Sequence, residues 1–362
     1  MYSDDDQRSF SLVSISGIET IQDLTEQDTD EFELIHRDQH AESSRESTSS
    51  KDSTSVPPDL HAHEFEHGRQ YHSYKSGRYP LPNDIGEQDR EEIAHALMLQ
   101  LMDGKLFLSD IGESPQKIID IGTGTGTWAI DVADLYPSAS VVGTDLSPIQ
   151  PRWMPINARM FVEDCEDPEW MHGCGFDLVH LRGVAGVLLD LDAVVANAYC
   201  NIVNGGWIEF QEFDPLVICD DGTMEEDDKV REFGDICARG IREYGCPAYG
   251  KQDLRRTLEH AGFQRIQVVT KQVPISAWSP DKKLKIVGSL MKANILEALD
   301  GFAAKPLAAL GMSVKERRDL VADVRESLDD NWVHRYINCH FCYGQKDEQK
   351  EEMEETDSDS GP

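Results

Sequence analysis

IIDIGTGTGTWAIDVADLYPSASVVGTDLSP, residues 118–148, is the stretch whose reading decides the fold. An apolar run carries Asp120 near its end, and three glycines (Gly122, Gly124, Gly126) then alternate with threonines. An amphipathic segment follows, and a second apolar run closes on Asp145. Strand, glycine turn, helix, strand is the opening unit of a doubly wound sheet, in which the turn lets backbone approach a bound nucleotide.

The same alternation continues on both sides. Strands are expected at KIIDI (117–121), ASVVGTD (139–145), ARMFVED (158–164), FDLVHLR (176–182) and GWIEFQEF (206–213), with helices at TWAIDVADLY and DLDAVVANAYCNIV between them. Apolar strands alternating with amphipathic helices predict a mostly parallel sheet covered on both faces, an α/β Rossmann-like architecture. Upstream, Glu87–Lys105 has an apolar stripe at Ile93, Leu97 and Leu101, the pattern of a helix. Downstream, two helices are expected in EEDDKVREFGDICARGIREYG and KQDLRRTLEHAGF, the second closed by Gly262. A strand at 263–269, a helical lid over about 271–330 and a last strand near RYINCHFCYGQ complete the chain's ordered part.

Three ligands compete for the glycine loop. A phosphate-binding Walker loop needs a lysine directly after its glycines, and no lysine follows before Lys229. A dinucleotide fingerprint is satisfied by Gly124, Gly126 and Ala129, with Asp145 about 20 residues on. Spacing leaves that reading open, but Asp120 stands where dinucleotide loops keep an apolar residue, and Asp164 ends the third strand. Three strand-end acids with no phosphate-binding cation suit an adenosine that carries an amino acid, S-adenosyl-L-methionine. A nicotinamide-dependent oxidoreductase is the distant alternative.

DIGTGTG resembles motif I of class I methyltransferases, TDLSPIQP their ribose-binding segment, VED their adenine-binding segment, and FDLVHLR with GGWIEFQE the next two strands. GRQYHSYKSGRYPLPND, LMDGKLF, DIGTGTGTWAID, GTDLSPIQP and GGWIEFQEFD together look like the fungal LaeA-like methyltransferases, which are related in fold to trans-aconitate methyltransferases. The resemblance spans about residues 65–345. The LaeA regulator tends to carry a cysteine where this loop has Thr123, which sets the chain among the LaeA-like relatives. The resemblance implies a seven-stranded sheet in the order 3-2-1-4-5-7-6 with the last strand antiparallel. It assigns Asp120, Gly122, Gly124 and Gly126 to the methionine end and to backbone approach, Asp145 to the ribose hydroxyls and Asp164 to the adenine. One carboxylate can accept from two adjacent hydroxyls, so the chemistry agrees. Leu146 is expected on the adenine face, and His180 or Arg182 near the methionine carboxylate. The aromatic stretch Tyr71, His72, Tyr74, Lys75 is expected to fold over the cofactor, with tyrosine faces suited to a sulfonium.

No catalytic base declares itself. His180, Glu209, Glu212 and His72 are candidates for taking a proton from an oxygen or nitrogen nucleophile. Metal binding fails on spacing: Cys339 and Cys342 have no second pair, and residues three apart on a strand point to opposite faces. His61, His63 and His67 lie outside any ligand pattern.

Charge bounds the partners. Residues 1–60 hold 15 acids and 4 bases and residues 346–362 hold 8 and 2, together half of the net charge of −34. Both ends read as disordered acidic tails flanking a catalytic domain at 61–345, whose first part, 61–105, caps the sheet. So acidic a chain gains nothing from phosphate backbones, which argues against direct nucleic-acid binding. The start MYSDDDQ lacks a secretory leader's basic and apolar regions, and no run suits a membrane span. An intracellular protein is expected, cytoplasmic or nuclear, acting on a small-molecule acceptor in fungal secondary metabolism. Regulation of that metabolism through protein partners is the alternative, and the sequence is silent on oligomeric state.

Overall fold

The computed structural model describes residues 63–347. The tail expected at 1–60 lies outside the described residues, as does the second tail beyond Asp347.

The described part opens on a hairpin, β1 (His63–Glu66) and β2 (Arg69–His72), whose turn residues His67 and Gly68 both take positive φ, the geometry of a type I′ turn. Helix α1 (Ile85–Leu101) begins two residues earlier than its apolar stripe implies, because Asp84 caps it through the Glu87 amide. The same carboxylate takes a two-pronged contact from Arg69 at 2.6 and 2.7 Å, which ties the hairpin to the helix.

The sheet is built from β3 (Lys117–Ile121), β4 (Ser140–Asp145), β5 (Ala158–Val162), β6 (Phe176–Arg182), β7 (Ile202–Phe213), β8 (Gln264–Pro274) and β9 (Tyr336–Gln345). Its spatial order is β5-β4-β3-β6-β7-β9-β8, with β9 antiparallel to both neighbours and every other pair parallel. Counted from β3 this is 3-2-1-4-5-7-6, the class I methyltransferase arrangement. The chain winds outward from β3 to β5 and then returns to the other side of β3 at β6. That reversal opens a crevice at the carboxyl ends of β3 and β6, where open α/β sheets bind ligands.

Helices α2 (Thr127–Leu135), α3 (Leu191–Asn201) and α5 (Lys251–Ala261) cover the sheet. Trp128, Ala129 and Val132 of α2 pack on Ile118, Val141 and Leu178, while α3 and α5 bury Ile119, Ile121, Val179 and Leu181 on the opposite face. The remaining helices form a layer of their own. Helices α1, α4 (Lys229–Tyr244), α6 (Lys282–Ala309) and α7 (Val314–Leu328) share one core that includes Leu97, Met98, Phe233, Met291, Leu299 and Val324, seated on Cys339 and Phe341 of β9. Cys342, three residues on, packs with α3 and α5 instead, so the two thiols do lie on opposite faces. A buried ion pair, Arg335 to Asp228 at 2.5 Å, anchors β9 to the N-cap of α4.

Candidate functional site

After β3 the chain turns through Gly122 (φ 68°), Gly124 (φ 56°) and Gly126 (φ 83°) into α2. A Cβ at Gly122 would lie 2.3 Å from Val184 Cγ1, so only glycine lets this loop pass the segment after β6. Asp145, at the tip of β4, accepts from the Gly124 amide at 2.9 Å and the Ser147 amide at 2.8 Å, and so holds the loop in shape. Burial raises the Asp145 carboxyl above its ordinary value against the pull of those two amides.

The loop borders a cavity of about 480 Å³. Its polar end is formed by the carboxyl ends of β3, β4 and β5, and its other end by the apolar faces of α4 and α6. Asp120, Gly122, Gly124, Asp145, Leu146 and Asp164 all line it. Gly126 does not; it faces Met160 and Gln150 on the far side of the turn. Tyr74 is also outside the lining. The segment that carries it does wall the cavity, but through Arg78, Tyr79 and Leu81. Lys75 pins this segment down by pairing with Asp164 at 3.0 Å and Asp167 at 2.5 Å.

The candidate bases separate clearly. His180 is fully buried, stacks on Trp128 at 3.6 Å and gives its Nδ1 to Asp120 Oδ1 at 2.7 Å. Its ring is buried beneath the loop and is not among the residues that line the cavity. Glu209 is equally buried, its carboxylate spent on the Leu108 and Ser109 amides, the Ser109 hydroxyl and Gln211. His72 has Nδ1 on the Tyr74 carbonyl at 2.7 Å and Nε2 on the Tyr79 amide at 3.2 Å, and burial lowers its pKa. All three have partners within the fold and none lines the cavity. Glu212 alone of the four lines the cavity, and burial pushes its carboxyl up to about 7.

A profile of the methyltransferase domain family matches residues 91–268. Methyltransferase pytC of Aspergillus terreus is 34% identical over 295 residues, covering 81% of this chain and 91% of its own. The secondary metabolism regulator LAE1 of Cochliobolus heterostrophus is 33% identical over 303 residues, 81% of this chain and 97% of its own. The chain belongs to the LaeA-like S-adenosylmethionine-dependent methyltransferases. The secondary metabolism regulator laeA of Aspergillus fumigatus, 31% identical over 83% of this chain and 80% of its own, is a further relative.

The methyltransferase's site also contains groups that periodicity does not reveal. Helix α1 delivers Arg90 and Glu91 to the cavity, with Glu91 accepting from the Thr125 amide of the glycine loop at 2.9 Å. Burial raises the Glu91 carboxyl. Arg182, at the tip of β6, lines the cavity beside them; its Nη1 meets His95 Nδ1 at 3.1 Å, and His95 Nε2 meets Asp131 at 2.9 Å. Burial lowers the Arg182 pKa, partly offset by the charge of Asp120. The acids within the first turns of α1 read from sequence as a favourable helix start, and only the fold shows that Glu91 turns inward. Among the described residues no cluster of three or more His, Cys, Asp or Glu is poised for a metal, and no helix is long and apolar enough to cross a membrane.

Proposed function

We propose that this methyltransferase moves the methyl group of S-adenosylmethionine to an oxygen or nitrogen of a small, largely apolar organic acceptor in fungal secondary metabolism. One observation carries the reading: a single cavity joins the strand-end acids to an apolar chamber between α4 and α6. The donor set fits the methyl donor end to end. Asp145 can accept from both ribose hydroxyls, and Leu146 and Ile149 offer an apolar face to the adenine. Asp164 retains acceptor capacity for the adenine amino group beside its Lys75 contact. Arg182 suits the methionine carboxylate, and Glu91 with Asp120 suits the ammonium.

The bound donor supplies an activated methyl on sulfur. The chain's own contribution is alignment of the acceptor and exclusion of water, tasks to which closely packed walls are suited. Calorimetry with S-adenosylmethionine and with NAD tests the donor assignment: saturable binding of the former alone is expected, and micromolar NAD binding refutes it. The regulators among the relatives favour a second reading, control of secondary metabolism through protein partners. Metabolite profiling of an Asp145→Ala strain separates the two. One lost methylation supports a single-pathway enzyme, and broad change without an identifiable methylated compound supports the regulator.

A further inference from the structure

Glu212 lines the cavity and is not among the acids assigned above to the methyl donor. One of its oxygens, Oε1, is fixed by the Val184 amide at 3.1 Å and the Ala185 amide at 3.0 Å, which locks the carboxylate's direction. Its titration is governed by burial and by the backbone amides of Ala185, Val184 and Gly183, with no charged side chain contributing. Asp145 and Glu91 are likewise held through backbone amides, and they are the groups assigned to the ribose and the ammonium; the other acids of the wall have side-chain partners. Asp120 is engaged by His180 and Thr123, Asp164 by Lys75, and Asp214 by His340, whose hydrogen bond holds the Asp214 carboxyl below its usual value.

The chamber beyond it is walled by Val230, Phe233 and Cys237 of α4 and by Met291, Ile295 and Phe302 of α6. Such walls favour an apolar guest but give it no orientation. A hydrogen-bonding group at the chamber's mouth would supply that. The donor loop is mechanically tied to the same point, since Gly122 passes against the Val184 side chain while the Val184 amide holds Glu212.

We propose that Glu212 is a catalytic residue, the proton acceptor for an apolar acceptor molecule that carries a hydroxyl group. The proposal rests on the methyl-transfer reading above and names the substrate class. The acceptor oxygen's lone pair forms the new bond to the methyl carbon as the methyl–sulfur bond breaks and its electron pair returns to sulfur. The hydroxyl proton passes to Glu212, so a sulfonium and a carboxylate become a neutral thioether and a carboxylic acid. A carboxyl raised to about 7 keeps a proton better than an ordinary one, as this transfer requires.

The test is calorimetric and needs no turnover. S-adenosylhomocysteine is titrated first into the wild-type protein and into Glu212→Gln and Glu212→Leu. A naphthol or its methyl ether, stand-ins for hydroxylated substrate and methylated product, is then titrated into each complex. In the wild type the naphthol is expected to bind about tenfold or more tighter than the ether, the worth of a hydrogen bond to a charged group. That preference should collapse in Glu212→Leu. Equal binding of the two probes, binding of neither, or a preference that survives in Glu212→Leu overturns the proposal while leaving the donor assignment standing. If S-adenosylhomocysteine does not bind the wild type, the donor assignment falls first and the proposal with it.

Discussion

Replacing Gly122 by alanine should injure the protein in two separable ways. The backbone there sits at φ 68°, where an L side chain costs about 1 kcal/mol relative to glycine. The new methyl would also stand 2.3 Å from Val184 Cγ1, and relieving an overlap of that kind costs about 1–3 kcal/mol. Gly122→Ala should therefore lower the free energy of unfolding in urea by about 2–4 kcal/mol. Val184 is stiff about χ1, so it cannot simply swing away. Adding Val184→Ala removes the overlapping methyl while leaving the Val184 amide in place, so the double variant should recover about 1–2 kcal/mol relative to expectation from the two single changes. The recovered part measures the contact and the remainder measures the backbone. A loss below about 1 kcal/mol in Gly122→Ala, or no coupling with Val184→Ala, would refute the reasoning.

Three further outcomes are expected. Asp145→Ala removes the acceptor for the Gly124 and Ser147 amides as well as the ribose partner proposed above, so S-adenosylhomocysteine should bind at least about a hundredfold more weakly by calorimetry; a change within tenfold would count against the assignment. Asp228→Ala strips the cap of α4 and leaves Arg335 buried without its charge partner, a loss of about 3–5 kcal/mol in urea unfolding that Arg335→Met should partly restore. Glu212 sets a pH trend: its folded carboxyl titrates at about 7 against an unfolded value of 4.5, so between those values the folded state holds the extra proton. Its stabilising contribution is complete below about 4.5 and is lost as pH rises toward 7, and the melting temperature of Glu212→Gln should fall less than that of the wild type over this window; equal slopes would disprove it.

The sheet was readable because its signals are local. Each of KIIDI, SVVGTD and FDLVHLR is an apolar run ended by a turn residue or a charge, and their alternation with helices leaves few ways to connect them. The glycine loop and Asp145 were readable because turn geometry and strand-end position follow from the same runs. What the sequence concealed was the direction of side chains on shared faces. His180 and Glu209 alternate correctly for strands yet point into packing layers, one under Trp128 and the other under Leu108. Glu91 and Arg182 meet across 91 residues of chain only after α1 has docked against α6 and the sheet has closed beneath it. The hairpin of β1 and β2 was missed although His67-Gly68 carries a turn signal, because four-residue strands are too short for their alternation to register.

The helices that hold the chamber also hold the protein. Phe233, Cys237, Met291 and Val230 face the cavity and belong at the same time to the core that binds α1, α4, α6 and α7 together. Enlarging the chamber for a bulkier guest therefore means deleting core contacts, at about 2–5 kcal/mol for each large side chain trimmed to alanine. Diversification of acceptors among such enzymes is thereby coupled to their tolerance of heat. Trimming these side chains for a larger guest therefore needs stability supplied elsewhere, for instance by substitutions on α7, which contributes no residue to the cavity wall.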